Sequence, residues 1–231
     1  MNFDKYTKLE GRDLLESVVK DNPGKVALMS AFNPEDVILS YWLSEFAPST
    51  PILFLDTKKH FPETLRYKDA IVKQLGLKDV RVFEPKEELI NNIDKDGELW
   101  KYQVNRCCWL RKVEPIERGI KEGGFNILIT GRRIEQTPER TDMKFIEEDS
   151  EKGQIKINPL MNWTRDERDD YMKEHNLAHH PLYDLGYLSI GCAPCTTPIF
   201  AGENERAGRW RHTKTGEDKG KTECGLHVSE E

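Results

Sequence analysis

Long hydrophobic runs are absent from this sequence of 231 residues, of which only 37% are hydrophobic. No stretch approaches the roughly 18 consecutive apolar residues that a membrane-spanning helix requires. The opening residues, MNFDKYTKLE, contain no apolar core of the kind found in secretory signals. We therefore expect a cytoplasmic protein with no membrane partner.

An excess of positive charge is also missing. The chain has 35 Lys and Arg residues against 41 Asp and Glu residues, which gives a formal net charge of −6. Nucleic-acid-binding domains are generally basic, so this balance argues against nucleic acid as a partner. A small anionic ligand could still be held by a few local Arg and Lys side chains.

Cysteines are few, and their spacing is uneven. Four of the five form two close pairs, whereas the fifth stands near the C-terminus; they are Cys107, Cys108, Cys192, Cys195 and Cys224. A reducing compartment disfavours structural disulfides. Two pairs provide the thiolates of a four-ligand metal site, and they leave the fifth cysteine available for chemistry.

Short apolar runs alternate with helix-length segments through the first two-thirds of the chain. Strands are predicted over residues 25–30, 52–55, 80–83 and 126–130, and helices around 37–42 and over 63–75 and 113–121. Strands joined by helical crossovers predict an α/β fold with a mostly parallel sheet flanked by helices. Ligands of such sheets bind beyond the carboxyl ends of the strands, which here are Ser30, Asp56 and Thr130-Gly131.

The pattern changes from about Asp184 onward, where Gly, Pro, Arg and Lys become frequent and no period is sustained. We predict an α/β domain over residues 1–196 and an irregular C-terminal tail over 197–231. Terminal tails are ordinarily inert. This one contains Cys224 within ECGLH (223–227), which favours a catalytic tail over a surface thiol in a terminal segment.

The pairs of cysteines allow more than one metal group. Cys192-Ala-Pro-Cys195 alone fits a redox dithiol, half of a zinc site or half of an iron–sulfur site. Adjacent Cys107 and Cys108 would point about 100° apart on a helix. They can therefore ligate two irons of one cubane more readily than a single tetrahedral zinc. We expect a [4Fe–4S] cluster, with a structural zinc site or buried free cysteines as the alternatives.

Eight segments together resemble the adenylyl-sulfate reductases of sulfate assimilation, within the adenylyl- and phosphoadenylyl-sulfate reductase family. They are SAFNPEDVIL (30–39), FLDTKKHFPET (54–64), CCWLRKVEPI (107–116), ITGRRIEQTPER (129–140), INPLMNWT (157–164), GYLSIGCAPCTTPI (186–199), ENERAGRW (203–210) and KTECGLH (221–227). The resemblance implies a fold of the adenine nucleotide alpha hydrolase-like kind and one [4Fe–4S] cluster per chain. The four paired cysteines resemble the cluster-bearing branch, some of whose members also accept the 3′-phosphorylated substrate.

The resemblance makes Cys224 the nucleophile. Its thiolate would attack the sulfur of adenylyl sulfate, release AMP and become an S-sulfocysteine. A reduced dithiol protein, thioredoxin by the same resemblance, would then attack Cys224 and release sulfite. His227 matches a tail histidine that contacts the substrate anion. The sequence is compatible with a homo-oligomer.

The resemblance also implies a substrate pocket. Arg206 and Arg209 match positions that grip the phosphosulfate, and Lys112 matches a lysine between cluster and substrate. A solvated charged loop is the alternative for the two arginines. The other expected substrate residues lie at strand ends or match a family arginine: Ser30, Leu55, Thr57, Thr130, Gly131 and Arg140.

Two acidic residues and three histidines are not expected to contact the substrate. Glu35 and Asp36 are expected to be favourable acids at a helix N-terminus. The histidines at 60, 179 and 180 are expected in exposed loops. The loop SAFNPED lacks the Ser-Gly-Gly-x-Asp-Ser pattern of ATP pyrophosphatases, which argues against an RNA-thiolating enzyme of the same superfamily. An iron–sulfur or zinc redox sensor would have no need of the tail cysteine.

Overall fold

The four predicted strands and two that were not predicted form one six-stranded sheet in the computed structural model, which describes residues 3–214. The strands are β1 (Val26–Ser30), β2 (Ile52–Leu55), β3 (Val80–Phe83), β4 (Ile127–Ile129), β5 (Ile146–Asp149) and β6 (Gln154–Ile157). Their order is β3-β2-β1-β4-β6-β5, and only β5 runs antiparallel to its neighbour. The predicted α/β class with a mostly parallel sheet is confirmed.

Helices connect the strands and cover both faces of the sheet. They are α1 (Gly11–Asp21), α2 (Pro34–Phe46), α3 (Pro62–Leu75), α4 (Glu87–Ile93), α5 (Val104–Cys108), α6 (Glu114–Gly123) and α7 (Arg165–Glu174). A π-helical turn, Trp109–Val113, joins α5 to α6. Helix α3 ends as expected at Gly76, whose φ of 60° suits glycine. Within the described range, no helix is both long enough and apolar enough to cross a bilayer.

Alternate residues of each central strand enter different layers of the core because strand side chains point to opposite faces in turn. In β1, Val26 and Leu28 belong to the larger apolar cluster, which packs beneath α1, α2, α3 and α7. Ala27 belongs to the smaller cluster, which includes Ile116 and Ile120 of α6. The central strands are therefore buried on both faces, and their carboxyl ends are left as the place for a ligand.

The segment after Gly186 returns across the carboxyl end of the sheet. Isolated bridges pair His60 with Cys192 and Thr196 with Arg209. Residues 197–214 pack on the α/β body, and Trp210 is only 2% exposed. The proposed boundary after residue 196 stays a prediction. Cys224 and His227 lie outside the described residues.

Candidate active site

A cavity of about 190 Å³ lies at the carboxyl ends of β1, β2 and β4. The chain brings to it all nine predicted substrate residues that fall within residues 3–214: Ser30, Leu55, Thr57, Lys112, Thr130, Gly131, Arg140, Arg206 and Arg209. The predicted residues therefore meet in one cavity at the strand ends, and their role in binding substrate stays a prediction.

The loop between β1 and α2 binds its own backbone amides. The Asp36 carboxylate accepts hydrogen bonds from the amides of Ala31 at 2.7 Å and Asn33 at 3.3 Å, and the Ser30 hydroxyl accepts one from Phe32 at 3.1 Å. Burial raises the pKa of Asp36 to about 7, although the Ala31 and Asn33 donors oppose the rise. These amides already have acceptors, so Asp36 acts as an internal cap of the loop.

Two arginines of the ENERAGRW segment stack on Trp210. The guanidinium carbon of Arg209 lies 4.5 Å from the centroid of the Trp210 ring, and that of Arg206 lies 5.7 Å away. Within the described chain, the buried Nε of Arg209 has no hydrogen-bond partner. A Cβ at Gly191 would come within 2.3 Å of the Arg209 guanidinium, so glycine leaves the space that this arginine occupies. Both arginines are half-buried and line the cavity, which favours the substrate role over the solvated-loop alternative.

Glu35 was predicted to be an acid at a helix N-terminus, but it also belongs to a buried cluster of four charged side chains. Its Oε1 accepts from Arg133 Nε at 2.7 Å and from Arg168 Nη1 at 2.9 Å. Arg133 Nη2 also donates to both carboxylate oxygens of Glu205, at 2.9 and 3.0 Å. Burial opposes ionisation of Glu35, but Arg168 and Arg133 hold its pKa below the ordinary value. Sequence reasoning did not find this buried charge cluster.

The exposed positions expected for two of the histidines are wrong. His180 is only 4% exposed and shares a 3.0 Å hydrogen bond with the Thr64 hydroxyl. His60 is half-buried at the wall of the cavity, and its Nε2 donates to the Leu55 carbonyl at 2.8 Å. Burial lowers the pKa of both rings. His179 is exposed, as expected.

The four paired cysteines line a second, smaller cavity of about 10 Å³ beside the first. All are buried free thiols, between 7% and 9% exposed. Burial and the neighbouring Cys192 raise the pKa of Cys195 to about 12 and that of Cys107 to about 11. Among residues 3–214, no three Cys, His, Asp or Glu side chains are arranged to hold a metal ion. This finding does not distinguish zinc from an iron–sulfur cluster, and both stay predictions.

The two cavities share a wall. Lys112, Cys192 and Trp210 line both of them. Lys112 lies on the π-helical turn that directly follows Cys107 and Cys108, which explains how one short stretch contributes to both cavities. Four buried sulfurs around one space, with a lysine at its border, form a donor set that suits a thiolate-bound metal group.

Comparisons with known proteins agree with this geometry. The family model described as "Phosphoadenosine phosphosulfate reductase domain" matches residues 25–198. The "Adenosine 5′-phosphosulfate reductase" of Mesorhizobium japonicum is 40% identical over 205 residues, covering 89% of this chain and 77% of the relative. The "Phosphoadenosine 5′-phosphosulfate reductase" of Gloeobacter violaceus is 38% identical over 218 residues, covering 93% and 87%.

A solved structure shares the fold across most of the chain. The crystal structure of phosphoadenylyl-sulfate reductase from Candida auris, a phosphate complex, superposes with a TM-score of 0.72 at 31% identity. The match covers 82% of this chain and 91% of that one.

Proposed function

Since this chain belongs to the phosphoadenosine phosphosulfate reductase family, we propose that it reduces adenylyl sulfate to sulfite and AMP in sulfate assimilation. One observation carries the proposal: a cavity at the carboxyl edge of the sheet collects the nine described residues expected at the substrate and shares a wall with the cavity that the four cysteines line. The name of the Mesorhizobium relative supports adenylyl sulfate as the substrate.

The substrate binds with its anionic end towards the shared wall. Arg206, Arg209 and Lys112 donate charge-assisted hydrogen bonds to the phosphosulfate oxygens. The nucleoside lies along the strand ends, near Leu55 and Thr130. This orientation is supported by the position of Lys112 between the two cavities and by the stacking of both arginines on Trp210.

The chemistry takes place at Cys224 in the tail over residues 197–231. Its thiolate attacks the sulfur of the sulfate group, the bond from that sulfur to the bridging oxygen breaks, and AMP leaves with the bonding electron pair. A thiolate of thioredoxin or a similar dithiol then attacks the Cys224 sulfur, and sulfite departs. This leaves a mixed disulfide between Cys224 and the reductant. The reductant's second thiolate attacks its own partner sulfur in that bond, which closes the reductant's disulfide and releases the Cys224 thiolate, so the dithiol supplies both electrons of the reduction.

Cys107, Cys108, Cys192 and Cys195 would hold a [4Fe–4S] cluster, one per chain. When bound, the cluster supplies an electrostatic influence near the substrate anion, without a change of oxidation state in turnover. Lys112 lies beside the thiols and also lines the substrate cavity, so the chain's own cation links the two sites.

The decisive experiment measures sulfite released anaerobically from adenylyl sulfate with reduced thioredoxin. Wild-type protein should release sulfite and AMP in equal amounts, and Cys224→Ser should release none while still binding AMP. Mass spectrometry without reductant should find the sulfite adduct on the Cys224 peptide. An adduct on Cys192 or Cys195, or full activity of the serine variant, would contradict the mechanism.

A second substrate is favoured by the comparisons. The Gloeobacter and Candida proteins are named for the 3′-phosphorylated compound, and both share more than 30% identity with this chain. We propose that phosphoadenylyl sulfate is accepted as an alternative substrate. The ratio of kcat/KM for the two substrates tests this, and complete inactivity with the 3′-phosphate would exclude it.

A further inference from the structure

Glu205 is a buried carboxylate that lines the larger cavity and directly precedes Arg206. It is 9% exposed, and both of its oxygens accept hydrogen bonds from one nitrogen, Arg133 Nη2. A carboxylate free to face the cavity would repel an anionic substrate. Because both oxygens are bound to the Arg133 guanidinium, the charge of Glu205 is offset where it lines the cavity.

Arg133 is itself held firmly by other parts of the fold. Its side chain is fully buried and donates to Glu35 at 2.7 Å, and Arg168 donates to the same Glu35 oxygen at 2.9 Å. The buried charge cluster thus joins the start of α2, the loop after β4, helix α7 and the segment containing Glu205. Arg133, the partner of Glu205, is therefore a buried side chain held by several contacts and not a surface side chain.

The other end of the same stretch is fixed separately. Trp210 is 2% exposed, and its backbone amide donates to the Cys195 carbonyl at 2.9 Å. Residues 205–210 are therefore attached at one end to the buried charge cluster and at the other end beside the cysteines. Arg206 and Arg209 lie on the stretch that these two attachments hold.

We infer that Glu205 is a positioning residue, which through its pair with Arg133 fixes residues 205–210 so that Arg206 and Arg209 face the substrate anion. The inference rests on the proposed role of those two arginines. A buried ion pair contributes little to net stability once the desolvation of both ions is counted. The geometry of the Glu205–Arg133 pair instead suits a role in holding residues 205–210 in one conformation.

The test measures AMP affinity of the full-length protein by calorimetry. Glu205→Gln keeps the shape of the side chain and removes its charge, and it should weaken AMP binding roughly tenfold. Glu203→Gln is the matched control, because Glu203 lies in the same segment but pairs with Arg211 near the surface at 2.7 Å. The control should bind AMP as the wild type does.

A combined variant separates positioning from general damage. In an Arg206→Ala, Arg209→Ala background, Glu205→Gln should lower AMP affinity by less than about a further twofold. The reason is that Glu205 acts through the two arginines, and neither is present in that background. An equal loss in both backgrounds would overturn the inference. If Glu205→Gln does not fold, Glu205→Asp, which keeps the charge on a shorter side chain, should still show weakened AMP binding, and wild-type affinity in that variant would also overturn it.

Failure of the proposed function would look different. If wild-type protein binds neither AMP nor adenylyl sulfate, the substrate assignment itself is wrong. If wild type binds AMP and the double arginine variant does not, but Glu205→Gln binds as the wild type does, only the positioning role is wrong.

Discussion

At the scale of single residues, Asp36 shows how one carboxyl can organise a loop at an energetic penalty. Its carboxylate accepts from two backbone amides, yet it is buried, and the charge of Glu35 lies nearby. Burial raises its pKa to about 7, against an ordinary value of 3.8. The folded state therefore favours the neutral carboxyl, and it loses stability as the pH rises from about 4 through 7.

This shift predicts a pH-dependent effect of Asp36→Asn. The amide oxygen can still accept a backbone hydrogen bond but cannot ionise, so the variant should gain stability relative to wild type as the pH rises from 5 to 8. The gain should be on the order of 1 kcal/mol per unit of pKa shift. Urea denaturation at several pH values measures it.

Asp79→Asn is the control for that experiment. Arg81 holds the pKa of Asp79 below its ordinary value, so its stabilising contribution is lost only as the pH falls below about 4. Its stability profile between pH 5 and 8 should run parallel to that of the wild type. A parallel profile for Asp36→Asn as well would show that Asp36 is ionised throughout this range.

The cavity arginines give a second prediction at this scale. Arg206→Ala or Arg209→Ala should each cost about 1.5–3 kcal/mol of AMP binding, the usual contribution of a charge-assisted hydrogen bond. Iron content, if the cluster is present, should not change. Arg211→Ala serves as a control because its guanidinium pairs with Glu203 instead of lining the cavity. Unchanged affinity in both cavity variants would remove them from the substrate site.

At the scale of elements, the pairing of Thr196 with Arg209 depends on Gly208. A Cβ at this position would lie 2.0 Å from the backbone oxygen of Thr197. That oxygen cannot move away without disturbing the adjacent bridge between Thr196 and Arg209. Gly208→Ala should therefore displace the arginine stretch, reduce stability by about 1–3 kcal/mol and weaken AMP binding. Thermal unfolding and calorimetry measure the two effects.

Gly202→Ala provides the comparison for Gly208. A Cβ there meets nothing within 4 Å, although its φ of +85° makes any side chain strained. It should lose some stability and keep its AMP affinity. Equal loss of AMP affinity in both glycine variants would mean that the contact with Thr197 does not explain the effect of Gly208→Ala.

The sequence predicted some elements much better than others. Strands β2 and β3 begin and end at the predicted residues, because short apolar runs between turn signals are typical of strands in a parallel sheet. Helix α7 was not predicted. Its ten residues, RDERDDYMKE, bury only Arg168 and Met172, so they show no apolar stripe. The signal that could have found it is the capping box of Thr164 and Glu167, whose side chains bond each other's backbone amides.

At the scale of the whole molecule, the buried charge cluster joins residues far apart in the chain. Glu35 and Arg133 are separated by 98 positions, and Arg133 and Glu205 by 72. Local patterns predict caps, periods and turns, but they give no information about which distant charges meet. The larger cavity was predictable because parallel strands bring their ends together, whereas the pairing that supports it was not.

The cysteine cavity predicts a visible property of the entire protein. If the four buried thiols hold the cluster, anaerobically purified protein should be brown, with four irons expected in the [4Fe–4S] group. Cys192→Ser should lose the colour and the iron, and Cys224→Ser should keep both. Elemental analysis and absorption spectra decide the matter, and full iron content in Cys192→Ser would refute the ligand assignment.

The wall shared by the two cavities also limits how this sequence can diverge. Lys112, Cys192 and Trp210 each line both spaces, so a substitution that adapts one lining alters the other in the same step. A lineage that abandoned the cysteines would have to rebuild part of its nucleotide pocket along with them. We expect descendants of this protein to keep the three residues or to replace them together, since intermediates with a mismatched wall would bind substrate poorly.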